Sequence, residues 1–391
     1  MIKSLEVKNF KAIEKGKVKL TPLTAFIGYN GIGKSSMLEA LEMFRAIVTE
    51  GLDAAVRPWR EFEHIYYKGK KSKRKFVKDG IDLQFAPMEF SFSLGKSKGF
   101  VINNSKFNIS VGQEINSRGD LYFLSEYYKD NQYEVLRDAD SNRVVNFSGS
   151  EKKRTPKTIF KSHDQSVLSE LPDFKRYIES WQFLSMNTFL MGQPFAQKKT
   201  GGAITLNKDG RNIAEYLLSI RDADMNAYTG ILESLQTVLP YANDLQPQVT
   251  RELEKAVYLQ LTEQDFKLPG WMLSTGTLKI LALLAVFRHP NPSPLIVIEE
   301  IENGLDPRTI NLIVNEIRSF VKAQQSQVII TTHSPYLLDL LHLSHVVFVE
   351  RKNERVVFKR PYDDDELRKW SKDYTPGELY EKDLLQQYLS K

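Results

Sequence analysis

The stretch "GYNGIGKSS", Gly28 to Ser36, constrains the chain most, because it sits between a short apolar run and a segment of helical periodicity. Before it, "SLEVKNF" and "KGKVKL" alternate in period two, and "LTAFI" reads as a buried strand. After it, Leu38, Leu41, Phe44 and Val48 recur at helical spacing until Gly51 stops the pattern. Gly28, Gly33, Lys34 and Ser35 match G-x-x-x-x-G-K-[ST], and a strand, a turn and a helix in that order are what the motif needs to hold phosphate. Glycines let the backbone curl so that successive N–H groups point inward, where the helix N-terminus adds partial positive charge. A polyphosphate fits that concavity. Lys34 would reach the β- and γ-phosphates, and the Ser35 hydroxyl would complete the coordination of a Mg²⁺ ion on the same oxygens.

Three later stretches bear on the kind of chemistry. "PSPLIVIEEIENGLDP" sets a β-branched run, Leu295 to Ile298, before Glu299 and Glu300, as in a buried parallel strand ending in two carboxylates. Ligands of open α/β sheets bind at that edge. Because successive strand residues point to opposite faces, the pair is expected to divide its work: one carboxylate for Mg²⁺, the other for the attacking water. "WMLSTGTLKILALLAV" offers Ser274 as an N-cap and Gly276 as a point of close approach at a helix N-terminus, a second place to grip phosphate. "SQVIITTHSPYLL" predicts a strand over Val328 to Thr332 that delivers His333 at its end, with Pro335 starting a helix.

In this order the four elements resemble the ATPase heads of the ABC-type group that includes SMC, RecF and OLD proteins. More closely, they are similar to the small AAA-family ATPases of bacterial antiphage defence systems. The resemblance rests on "IKSLEVKNFKAI", "FIGYNGIGKSSMLEAL", "NKDGRNIAEYL" and the region from "LSTGTLKILALLAV" to "TTHSPYLLDLL". It implies an α/β P-loop NTPase core of ABC type with a mixed sheet, formed by residues 1–55 and 270–391. A β-rich insertion over 56–206 and a helical lobe over 207–269 leading to the signature motif complete the expected division. ATP and Mg²⁺ are the implied ligands. Gly28, Asn30, Gly31, Gly33, Lys34, Ser35 and Ser36 would line the nucleotide, Ser35 and Glu299 would hold the metal, and Glu300 would be the catalytic base with His333 as the switch histidine. Ser274 and Gly276 would form the signature motif and Asp306 the D-loop residue. In that group the signature motif closes the nucleotide of a second copy, so a homodimer is implied. Glu299 stands where most ABC heads have aspartate, and Thr275 where they have a signature glycine. Gln182 and Gln193 are the candidates for the Q-loop.

Composition narrows the classes further. With 54 basic and 49 acidic residues the net charge is +5, too mild to mark a nucleic-acid binder by itself. The absence of cysteine excludes disulfides and thiolate chemistry and suits a reducing compartment. "MIKSLEVKNF" has no apolar signal region, and the longest apolar run, Ile280 to Phe287, is too short to span a bilayer, so a cytoplasmic chain is expected. "IDLQFAPMEFSFSL", "GFVINNSKFNISV" and "GDLYFLSEYYKDNQYEVLRD" alternate and predict an antiparallel β lobe, with a helical segment at Asn212 to Val238 and no heptad arm.

"YKGKKSKRKFVKDG" is strongly basic from Lys68 to Lys78, either a patch for the phosphate backbone of DNA or a solvated loop. Two functions follow as expectations: an ATP-hydrolysing switch that senses or clamps nucleic acid, or a nucleotide-gated scaffold that holds a separate effector protein encoded nearby. A self-contained nuclease is not expected. The residues from Ser334 to Lys391 are few for an appended metal-binding domain, and "DDDE" at Asp363 to Glu366 reads as a solvated turn.

Overall fold

The alternation of the first residues becomes a hairpin, in which β1 (Ile2–Phe10) and β2 (Ile13–Lys19) pair antiparallel with Leu5 opposite Val18. The computed structural model describes residues 1–69, 76–78, 81–96, 100, 105–115, 118–130, 133–138, 143–148, 155–160, 162, 164–197, 203–250, 255–324, 326–370 and 373–382. The chain divides into two units: Met1–Trp181 with Leu343–Tyr374 and Leu379–Lys391, and Gln182–His342 with Thr375–Glu378.

In the first unit, β3 (Leu23–Ile27) is buried along its whole length and leads through the glycine turn into α1 (Lys34–Glu50). The apolar spacing that predicted this helix is its packing face: Phe44 stacks on Phe107 at 4.9 Å and lies 4.5 Å from Phe92. Those two rings come from β4 (Met88–Leu94) and β5 (Lys106–Gln113). With β6 (Leu121–Lys129), β7 (Tyr133–Asp138), β8 (Arg143–Ser148) and β9 (Thr155–Phe160), they extend the first hairpin into one antiparallel sheet. Its order is β9-β8-β7-β6-β5-β4-β1-β2. β1 joins β4 with Leu5 opposite Phe92 and Val7 opposite Phe90. The alternating inward residues thus build the floor on which α1 rests.

A buried ion pair closes part of that unit. Arg137 Nη1 lies 3.1 Å from Glu126 Oε2, and the two side chains are 1% and 0% exposed. Glu126 also accepts from Ser166 Oγ and Val167 N, and Arg137 donates to the carbonyls of Ser162 and Gln165. Removing one partner strands the other charge away from water. Glu126→Ala is therefore expected to destabilise the chain by about 3–5 kcal/mol, read as a lowered urea midpoint. An unchanged midpoint would show that Arg137 finds solvent.

In the second unit, β10 (Gln182–Leu184) is followed by α2 (Ile213–Ala223) and α3 (Met225–Val238). The expected single helical segment is broken at Asp224, whose carboxylate caps α3 by accepting from Asn226 N and Ala227 N. Residues 242–269 form β11 (Ala242–Val249), β12 (Ala256–Glu263) and β13 (Phe266–Pro269), because "AVYLQLTE" alternates and buries every second side chain. Then come α4 (Thr275–Phe287), β14 (Leu295–Ile298), α5 (Pro307–Gln324) and β15 (Gln327–Thr332). β14 lies between β10 and β15, parallel to both. From Thr277 onward α4 is buried on all sides, as its uniform apolarity requires.

The chain returns to the first unit with β16 (Val346–Lys352), parallel to β3, and β17 (Arg355–Lys359), antiparallel to β16, so this sheet is mixed. Among the described residues no helix is long and apolar enough to cross a membrane.

Candidate functional site

The glycine turn is shaped by what surrounds it. A Cβ on Gly28 would stand 2.3 Å from the Val349 carbonyl oxygen, and φ there is 153°, so only glycine fits where β3 leaves the sheet. Gly33, at φ 115°, is the N-cap of α1 and supplies no side-chain cap to the helix. Lys34 turns back into the loop: its Nζ donates to Gly28 O at 2.7 Å and Tyr29 O at 2.9 Å, and the residue is 7% exposed. Tyr29, Asn30, Gly31 and Ser35 are exposed, while Ser36 is buried behind the loop. The result is a curled backbone at the uncapped N-terminus of a long helix, with an ammonium group inside the curl. Such a site favours anions.

Glu299, Glu300, Ser274, Gly276, Asp306 and His333 all belong to the second unit. β14 ends at Ile298 and Glu299 N donates to Leu184 O, so the pleat stops before the second carboxylate. Glu300 takes the left-handed conformation, φ 46°, with its N–H donating to Thr331 Oγ1 at 2.9 Å. The two carboxylates are therefore separated by the turn and not by strand alternation as the sequence predicts. Glu300 Oε1 lies 3.7 Å from His333 Nε2, and Asn303 Nδ2 donates to Glu300 Oε2. His333 stands directly after β15, at the predicted strand end.

Beneath the turn lies a residue that sequence reasoning passed over. Lys279, on α4, donates from Nζ to Glu300 O at 2.8 Å and Asn303 O at 2.9 Å. Burial brings its pKa down to about 8, against the pull of the Glu302 and Glu300 charges. Its signal was present as the one cation inside "TLKILALLAV", where a charge has no reason to be unless it holds something. Glu302 is the second: Oε1 accepts from the His333 backbone N–H, while Oε2 is buried and has no hydrogen-bond partner among the described residues.

Ser274 caps α4 as expected, its Oγ accepting from Thr277 N at 3.1 Å. Gly276 packs against the same turn, where a Cβ would approach Gly304 O to 2.8 Å. Asp306 is the cap of α5, with its carboxylate accepting from Arg308 N, Thr309 N and Thr309 Oγ1. The Thr309 hydroxyl and the first-turn N–H groups hold its pKa below the usual carboxylate value. Gln182 bridges Leu206 O and Ser293 Oγ, and Gln193 is exposed. Of the basic stretch Lys68 to Lys78, residues 70–75 lie outside the described residues, and Phe76–Lys78 form a short strand.

Among curated proteins, the chain is 22% identical to an OLD nuclease of Thermus scotoductus, covering 93% of this chain and 65% of the relative. It is 24% identical to the Septu protein PtuA of Bacillus mycoides, covering 91% of this chain and 41% of the relative. The chain thus spans less than two thirds of the length of either. Among solved structures, an SMC head bound to the C-winged helix domain of ScpA matches 92% of this chain and 96% of its own, with TM-score 0.55 at 15% identity. An SMC head with an extended coiled coil, bound to the C-terminal domain of ScpA from Pyrococcus furiosus, matches 95% and 99%, with TM-score 0.54 at 14% identity. The fold is that of the ABC-type ATPase heads. A family model matches residues 23–339, which takes in the glycine turn, the double-carboxylate turn and His333. The chain belongs to that family, described as "AAA domain, putative AbiEii toxin, Type IV TA system".

Proposed function

We propose that the chain is an ATP-binding and ATP-hydrolysing switch whose dimerisation with a second copy is controlled by ATP. The observation that carries the reading is the curl of backbone at the uncapped start of α1, with Lys34 Nζ held inside it. On ATP binding, Lys34 exchanges its carbonyl partners for phosphate oxygens, and the N–H groups of the curl and first turn take the remaining oxygens. Ser35 and Glu299 each carry an oxygen of the kind a hard cation takes, and Mg²⁺ bound with the nucleotide would neutralise charge on the phosphates. Glu300 orients the attacking water and accepts its proton, and His333 stabilises charge on the γ-phosphoryl oxygens.

Closure of the dimer follows from the same charges. The Ser274–Gly276 helix end of one copy is attracted to the γ-phosphate held by the other, and hydrolysis removes the attraction. Nucleic acid and a separate effector are the two classes of target in antiphage defence. The effector reading is favoured by the family's description as a toxin–antitoxin system, which needs a second component. DNA that stimulates ATP turnover supports the first, whereas a neighbouring gene product that copurifies stoichiometrically, with no effect of DNA, supports the second.

The strand-end histidine supplies a direct check. His333→Ala is expected to bind ATP with wild-type affinity and to hydrolyse it about 10²-fold more slowly, measured by phosphate release. Unchanged turnover would assign His333 a packing role alone.

A further inference from the structure

Three carboxylates occupy Glu299 to Glu302, and the proposed function gives the first two to the metal and to the attacking water. The third is placed differently. Glu302 is half-buried, its Oε1 is engaged by the His333 backbone N–H, and its Oε2 is shut from solvent with no hydrogen-bond partner among the described residues. A buried carboxylate oxygen without a donor is unfavourable, and an apolar side chain of similar size would avoid it. A negative charge is tolerable here because Lys279 faces it: the ammonium attracts Glu302 and Glu300 while bonding the carbonyls of Glu300 and Asn303, on either side of Glu302 in the turn.

The backbone around His333 is otherwise lightly held. β15 ends at Thr332, and Ser334 already turns into the next helix, its N–H taken by Thr332 Oγ1. The N–H of His333 would be the first one beyond the strand ladder, and Glu302 is what takes it. Fixing that amide fixes the Cα, and with it the reach of the imidazole to Glu300 Oε1 at 3.7 Å. Glu300 is held from the other side by Thr331 Oγ1 and Lys279. The two partners of the Glu300–His333 pair are thus held separately, His333 through Glu302 as a strut and Glu300 through Thr331 and Lys279. With Oε1 engaged and Oε2 shut from solvent, Glu302 has no oxygen that an attacking water could reach.

We propose that Glu302 is a positioning residue that sets His333 against Glu300 through the His333 backbone amide, with Lys279 as its counter-charge. The proposal rests on the ATPase reading only for its kinetic consequence, and the test separates the two. In Glu302→Ala without nucleotide, hydrogen–deuterium exchange in the peptide containing His333 is expected to quicken about tenfold or more. Turnover of ATP is expected to fall about tenfold with KM within about twofold, because the nucleotide contacts are untouched. Glu302→Gln, which keeps the Oε1 acceptor, is expected to recover most of both. In a His333→Ala background, Glu302→Ala is expected to add no further loss, since it acts through the same residue. Unchanged exchange at His333 overturns the proposal, as does an equal extra loss in the His333→Ala background. Should Glu302→Ala fail to fold, exchange in Glu302→Leu, which keeps the volume and removes the acceptor, decides: faster exchange at His333 supports the strut, and wild-type protection contradicts it. A wild-type chain that releases no phosphate overturns the ATPase reading, and the exchange measurement still decides the strut.

Discussion

Lys34→Ala is expected to weaken ATP binding by about 2 kcal/mol or more, roughly thirtyfold in Kd. The ammonium sits inside the glycine curl at 7% exposure, where its Nζ donates to the carbonyls of Gly28 and Tyr29. Phosphate oxygens are stronger partners for it than neutral carbonyls, since both members of the pair are then ionised. Alanine removes that gain and the point charge with it, while α1 keeps its packing through Phe44. A nucleotide titration, with thermal unfolding to confirm the fold, reads the effect. Wild-type affinity in the variant would mean that the curl is not where ATP binds.

Glu300→Gln is expected to leave ATP binding intact and to slow hydrolysis by roughly 10²-fold or more. Glutamine keeps the shape and can still meet Asn303 and His333, but it cannot take a proton from water. The carboxylate is 49% exposed, so water reaches it. Glu299→Gln is expected to behave otherwise, weakening Mg²⁺-dependent binding, because under the proposed function the charge lost there is the one that would hold the metal. If Glu299→Gln stops turnover and Glu300→Gln does not, the roles of base and metal residue are exchanged. If neither matters, the turn after β14 is not the hydrolytic edge.

How far this could be read from sequence varied with the range of the interaction. The runs "LTAFI" and "LIVI" became β3 and β14 with the predicted ends, because a fully apolar β-branched run bounded by turn residues has few alternatives. Ser274 was legible as a cap, since it needs only the three residues after it. Pairing over long separations was not legible. Nothing local in "SLEVKNF" says that Leu5 will lie opposite Phe92, and so β1 and β2 carry no mark of the antiparallel sheet they begin. The break at Asp224 was missed because apolar periodicity continues on both sides of it.

At the candidate site the elements that carry the motif residues were legible, namely the turn before α1 and the ends of β14 and β15, and the side chains that support them were not. The alternation argument separated Glu299 from Glu300 by the pleat, whereas the left-handed backbone at Glu300 does it. That conformation is unfavourable for a residue with a Cβ and persists only where the surroundings fix it. Here Thr331 on β15 and Lys279 on α4 do so from two separate elements of the second unit, with Asn303 of the turn itself on the carboxylate. No spacing rule in one sequence brings those together.

The mass of the Glu300→Gln chain in solution, measured by light scattering with and without ATP and Mg²⁺, tests the switch most directly. Binding without hydrolysis should trap the closed pair, so the 45.0 kDa chain is expected to double in mass with ATP and to return to one copy with ADP. A mass that does not change with nucleotide, at concentrations where ATP is bound, would contradict the claim that ATP joins two copies.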